Sequence, residues 1–238
     1  MAFKIAEKIK RLLFPPVCPL CEEILPYGKT RICASCRPKA TYLTEPLCLR
    51  CGKEIADEEK EYCTDCEKKP KSFVRGFPAM SYREPIRRSI LKFKYQNKSS
   101  YADCFATEII RAHGRDIKDV APEVLIPVPV HKRKLEKRGY NQAEVLANSL
   151  GAYLDIPVDA GIIRRVVNTT PQKSLNDEER QKNLEKAFIS DKKQVQYKKV
   201  MLVDDIYTTG ATIEACTKIL KNAGVKEVYY TSICIGGK

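Results

Sequence analysis

The sequence is poor in several things that would each announce a function. No apolar run approaches the roughly 20 residues that a membrane-spanning helix requires, so no transmembrane segment is expected. Residues 1–11 lack the apolar stretch of a secretory signal, and the expectation is a cytoplasmic protein. A nucleotide-gripping G-x-x-x-x-G-K-[ST] loop is missing too. The one Gly-Lys-Thr, Gly28-Lys29-Thr30, has Glu23 where the first glycine belongs, and cysteine pairs flank it. Histidine is scarce, with two in the whole chain, and His131 stands alone in a basic run, which does not make a general base.

Cysteine and positive charge are plentiful. Eleven cysteines in a reducing compartment argue for metal ligation over a disulfide framework. The formal net charge is +13. Eight thiolates on two divalent ions would remove four charges, leaving about +9. The surplus is unevenly placed. Residues 1–71 hold 14 Lys and Arg against 11 Asp and Glu, whereas residues 72–238 hold 29 against 19. A positive field that invites an anionic partner therefore belongs to the second part of the chain.

Residues 2–14 carry Phe3, Ile5, Ile9, Leu12 and Leu13 among lysines, the pattern of a short amphipathic helix, ended by Pro15-Pro16. An internal repeat of period 30 follows. Cys18-x2-Cys21-x11-Cys33-x2-Cys36 aligns with Cys48-x2-Cys51-x11-Cys63-x2-Cys66. Two residues between cysteines allow a tight turn with both sulfurs on one ion, and four thiolates close a tetrahedral zinc site. Two structural zinc ions are expected, with pairing of ligands within each repeat favoured over pairing between repeats. Gly52 fits the second turn, while Glu22 departs from the pattern in the first. Sites of this closed kind leave no position for catalysis; they fold a module too small for its own core. Residues 67–71, E-K-K-P-K, then read as a linker, dividing the chain into residues 1–70 and 71–238.

The second part alternates strand and helix patterns, which predicts an α/β domain with a mostly parallel sheet. Strands are expected over residues 73–82, 123–130, 162–167, 199–204 and 227–235. Helices are expected over 85–95, 100–113, 143–154 and 213–222. On the first helix, Arg87, Arg88, Lys92 and Lys94 with Phe93 and Tyr95 suggest a basic, aromatic face for single-stranded nucleic acid, joined by Arg138. A solvated helix face with its aromatics in the core is the other reading. The strand over 123–130 runs into a proline-pinned loop, Val130, His131 and Lys132, and residues 131–138 carry five Lys and Arg. Such a loop suits pyrophosphate. Residues 168–185, a long polar excursion that includes Thr170, Gln172, Arg180 and Asn183, have the character of a lid.

The stretch that organises this domain is residues 200–212, V-M-L-V-D-D-I-Y-T-T-G-A-T. A buried strand ends in Asp204 and Asp205, and Thr208, Thr209, Gly210, Ala211 and Thr212 turn into a helix. Unpaired N–H groups and the positive end of a helix suit a phosphate. Carboxylates just before such a turn suit sugar hydroxyls. Together they read as a ribose-5-phosphate site.

This stretch resembles the phosphoribosyl-pyrophosphate (PRPP) motif of type I phosphoribosyltransferases. The resemblance implies ribose hydroxyls on Asp204 and Asp205, the 5′-phosphate on residues 208–212, and Mg²⁺ bound with PRPP. The whole chain resembles the ComF family of competence proteins, through F-P-P-x-C-x-x-C, C-x-x-C-G, Y-R-E-P-I-R-R-S-I-L-K-F-K-Y, P-V-P-V-H-K-R-K, R-G-Y-N-Q, T-x-P-Q, E-R-x-x-N-L and V-D-D-I-Y-T-T-G-A-T. That implies a double zinc ribbon before a type I phosphoribosyltransferase fold. It also implies PRPP binding, a role in uptake of single-stranded DNA during natural transformation, and other DNA-uptake proteins as partners. An active phosphoribosyltransferase of nucleotide metabolism, with an unidentified acceptor, is the alternative. No segment of the sequence announces a particular nucleobase.

Overall fold

The computed structural model describes residues 15–26, 31–167, 186–190 and 195–236. The helix expected over residues 2–14 and the excursion bearing Thr170, Gln172, Arg180 and Asn183 lie outside the described residues. In chain order the elements are α1 (Thr64–Lys68), β1 (Gly76–Ser81), α2 (Ile86–Tyr95), α3 (Tyr101–Val120), β2 (Val124–Pro127), α4 (Lys132–Arg138), α5 (Gln142–Leu154), β3 (Ile163–Arg165), β4 (Phe188–Ser190), β5 (Lys199–Tyr207), α6 (Ala211–Asn222) and β6 (Glu227–Ile235). No helix among the described residues is long and apolar enough to cross a membrane.

Four parallel strands form the sheet, in the order β1-β6-β5-β2. Parallel strands are buried on both faces, which is why β5 and β6 read as continuous apolar runs. Side chains alternate across the sheet. Met201, Val203 and Ile233 join α2, α3 and α5 in one apolar cluster. Val200, Leu202, Val228 and Tyr230 join α6 in the other. A separate antiparallel pair, β3 with β4, brings the two flanks of residues 166–187 together.

The cysteine repeats clasp this sheet from both sides. Cys18, Leu25, Ile32 and Cys36 pack into the first cluster, and Cys48, Cys51, Cys63 and Cys66 into the second. Between them the chain covers the edge of β1: Tyr42 pairs antiparallel with Met80, and Ser81 N–H donates to the Thr41 carbonyl at 2.8 Å. Polar anchors lock both halves. Glu108 of α3, fully buried, accepts from Ile32 N–H at 3.2 Å, Tyr42 O–H at 2.8 Å and Arg111 Nε at 3.0 Å. Glu214 of α6 accepts from Ser72 N–H at 2.8 Å and Ser72 O–H at 2.5 Å. The Tyr230 hydroxyl donates to the Cys51 carbonyl at 2.7 Å. A buried carboxylate is tolerated only when donors saturate it, so these contacts specify how ribbon and sheet meet.

One expectation about the central strand is corrected. Asp204 and Asp205 do not end β5, which continues to Tyr207 because β6 stays paired with it as far as Ile235. The strand that stops is β2. Its pairing with β5 ends at Pro127–Val203, and Pro127 and Pro129 lack the N–H to carry it on. Beyond Val203, β5 is open on that side, and there the two aspartates meet a cavity.

Candidate functional site

That cavity, about 140 Å³, is lined by Asp204, Asp205, Thr212, Val130 and, from three different elements, Lys94, Lys134, Arg138 and Arg165. Lys94 Nζ lies 2.9 Å from Asp205 Oδ1. Burial, and after it the neighbouring Asp205 carboxylate, pushes the Asp204 carboxyl up to about 7. Burial opposes the charge on Lys94, but the two aspartates outweigh it and hold the ammonium above the ordinary lysine value. Lys134 is pulled below that value by burial and then by Arg165, Arg138 and Lys94. Burial lowers Arg165 as well. Four cations against two carboxylates, one of them near half-protonation at neutral pH, make a cup for a polyanion.

The turn after β5 opens onto α6. Gly210, at the N-cap with φ +75°, admits no side chain: a Cβ there would lie 2.2 Å from the Tyr207 hydroxyl. Gly210 has no side chain to cap α6, and beyond Ala211 its first N–H groups face a ligand without a side-chain acceptor from the N-cap. Thr208 and Thr209 are exposed, and Ala211 and Thr212 half-buried. The Thr209 hydroxyl accepts from Ala211 N–H at 3.4 Å. The basic loop differs from the sequence expectation. It is largely helix α4, with His131 as N-cap, its Nδ1 accepting from Arg133 N–H at 3.3 Å. Val130, His131 and Lys132 line a larger cavity, about 690 Å³, with Arg133, Arg164 and Arg165. Val130, Asn141 and Arg165 border both cavities, so the two adjoin.

The two cysteine sets satisfy the geometry of zinc. The four sulfurs of Cys18, Cys21, Cys33 and Cys36 lie within 4.8 Å of one another, as do those of Cys48, Cys51, Cys63 and Cys66. Tetrahedral bonds of about 2.3 Å place sulfurs about 3.8 Å apart. The Cys21–Cys33 and Cys51–Cys63 separations are 3.7 and 3.6 Å. Ligands therefore gather within each repeat. Cys104, Cys216 and Cys234 are buried and belong to neither set.

A family model described as a double zinc ribbon domain matches residues 9–67, and one described as a phosphoribosyl transferase domain matches residues 135–235. Competence protein F of Haemophilus influenzae is 33% identical over 217 residues, which are 89% of this chain and 93% of that protein. The chain belongs to the ComF family. DNA utilization protein YhgH of Escherichia coli is 28% identical over 94% of this chain and 98% of its own length. Competence protein ComFC of Bacillus subtilis is 26% identical over 82% and 79%.

The basic residues of this ComF chain that the sequence grouped on one helix face are divided by the structure, which corrects that grouping. Arg87 and Arg88 are exposed, Arg88 with Glu84 at 3.9 Å. Lys92 points to the first ribbon and donates to Glu22 Oε2 at 2.8 Å. Lys94 is turned inward to Asp205. Arg138 lies over the Tyr95 ring, 4.8 Å from its centroid, and donates to the Tyr95 hydroxyl at 3.1 Å and Gln142 Oε1 at 2.9 Å. The sequence holds Lys134 only within the basic run 131–138, does not mark Arg165, and sets Lys94 on the nucleic-acid face. Periodicity held the signal. Lys94 falls four residues after Ile90, at the edge of the buried side of α2, and Arg165 shares the inward face of β3 with Ile163.

Proposed function

We propose that this ComF protein binds PRPP as its Mg²⁺ complex and acts in the cytoplasm in DNA uptake during natural transformation, with single-stranded DNA and other uptake proteins as partners. The observation that carries the first part is the convergence of the acid pair, the uncapped N-terminus of α6 and four cations on one cavity. Ribose hydroxyls would donate to Asp204 and Asp205. The 5′-phosphate would sit on Thr208, Thr209, Gly210, Ala211 and Thr212. The pyrophosphate would extend past Val130 toward His131 and Lys132. Relatives whose names speak of competence and DNA utilization support the second part, as do the exposed Arg87, Arg88 and Tyr95.

The adjoining cavity of about 690 Å³ favours a second reading, an active transferase. In that reaction the C1–pyrophosphate bond breaks, an acceptor forms a bond to C1, and the acceptor loses a proton.

Calorimetric titration of Mg²⁺–PRPP into zinc-loaded, full-length protein tests the binding. Thr209→Val, nearly isosteric, removes one phosphate donor. Hydrogen bonds to charged groups are worth about 1.5–3 kcal/mol, so affinity should fall roughly tenfold or more. No heat with the wild-type protein would overturn the reading. Pyrophosphate release from PRPP, assayed with a panel of nucleobases and with single-stranded DNA, separates carrier from transferase.

A further inference from the structure

Lys94 is an unusual tenant of its site. Its side chain is 19% exposed and its Nζ meets Asp205, a residue the PRPP reading needs for ribose. Its backbone is fixed from two sides. Gln142 Nε2 donates to the Lys94 carbonyl at 3.4 Å, and the Tyr140 hydroxyl donates to the carbonyl of Phe93, one residue earlier. The helix that carries it is anchored at its other end, where the Ser89 hydroxyl donates to the Pro19 carbonyl. A four-carbon stem on a fixed backbone leaves the ammonium free to swing while its root stays still.

A buried ammonium is costly unless paired, and here the pair is made with a group that ribose hydroxyls would claim. Lys134, Arg138 and Arg165 line the same cavity. If ribose hydroxyls take both Asp205 and Asp204, Lys94 is left among three other cations and needs an anion. The anion at hand would be the ligand's own phosphate.

We infer that Lys94 is a phosphate-binding side chain of the acid-pair cavity, which pairs with Asp205 and is released to the pyrophosphate group when ribose takes Asp205. This rests on the PRPP reading and adds to it a residue and an exchange of partners. A lysine that serves only to neutralise Asp205 would have the opposite signature, because its loss would free Asp205 without weakening any phosphate contact.

The test compares wild-type, Lys94→Met and Lys94→Arg proteins, full-length and zinc-loaded, by calorimetry with three probes: Mg²⁺–PRPP, Mg²⁺–pyrophosphate and ribose 5-phosphate. K94M should weaken PRPP and pyrophosphate at least tenfold and leave ribose 5-phosphate unchanged or tighter, since it competes with nothing for Asp205. K94R should recover most of the lost affinity. Lys94→Gln keeps a polar head in the cavity and replaces K94M if that variant does not fold. Equal loss for all three probes, or an unchanged pyrophosphate affinity, would refute the inference and leave PRPP binding standing. A wild-type protein that binds none of the probes would remove both.

Discussion

Glu22 and Gly52 stand at the same place in the two cysteine repeats, and both have left-handed backbone, with φ of +64° and +71°. Each donates its N–H at 2.8 Å to the first cysteine of its repeat, Cys18 or Cys48. Gly52 is required by space as well as by φ, because a Cβ would meet Pro78 Cδ at 2.5 Å. Glu22 endures a conformation that costs a side-chain residue about 1–2 kcal/mol. Its carboxylate explains why: it accepts from Lys92 Nζ at 2.8 Å, Lys98 Nζ at 2.8 Å and Tyr101 O–H at 2.7 Å, fastening the first ribbon to α2 and α3. Glu22→Ala keeps the strain and loses all three bonds. Glu22→Gly loses the bonds but relieves the strain. Both should lower the melting temperature, E22A the more, by a margin of about 1 kcal/mol. Equal stability of E22A and the wild-type protein would show that the three bonds contribute nothing.

Zinc should be inseparable from the fold. Metal analysis is expected to give two ions per chain, and Cys48→Ser should remove one. Because Tyr230 bonds the Cys51 carbonyl and Gly52 rests on Pro78, that loss should reach β1 and β6 and not stop at the ribbon. Hydrogen exchange would read it as faster exchange at residues 76–81 and 227–235. By the same contacts, a fragment beginning at Lys71 exposes the edge of β1 and parts of both apolar clusters, and it should aggregate.

Asp204 gives a pH signature. Its carboxyl titrates near 7 in the folded chain, against an ordinary value of 3.8. The folded state thus holds the proton more tightly than the unfolded one. The stability this contributes is complete below the unfolded value and is lost as pH rises through about 7. Asp204→Asn, which mimics the protonated acid, should therefore be more stable than the wild-type protein at pH 8. The gap should close toward pH 4. Denaturant midpoints across that range check the sign, and a gap that widens on acidification would contradict it.

Much of this was legible in the sequence, for reasons that differ by residue. The eight cysteines declared themselves because a zinc site is built from local spacing. The strand and turn around Asp204 and Asp205 did so because acids, threonines and glycine sit together in the chain. Lys94, Lys134 and Arg165 did not, because three separate elements bring them to the cavity. The partnership of Glu22 with Lys92 joins residues 70 apart, and nothing local marks it. Charges on α2 count as one surface in the sequence, whereas Arg87 and Lys94, two turns apart on nearly the same side of the helix, meet solvent at one end and Asp205 at the other.

That division of α2 sharpens the expectation for nucleic acid. If single-stranded DNA binds through this helix, its phosphates should meet the charges that are exposed, and bases should stack on Tyr95, which is 60% exposed. Arg87→Gln/Arg88→Gln should flatten the plot of log affinity against log salt by about 0.7 for each phosphate left without its arginine. Tyr95→Ala should weaken binding by about 1–3 kcal/mol if one base stacks there, with the salt slope nearly unchanged. Lys92→Gln is the control. Lys92 is held by Glu22, so its loss should reduce thermal stability and leave the slope alone. Anisotropy titrations of a labelled oligonucleotide at several salt concentrations separate these outcomes. A slope that falls with K92Q and not with the arginine pair would mean that the strand lies on the ribbon side of the helix.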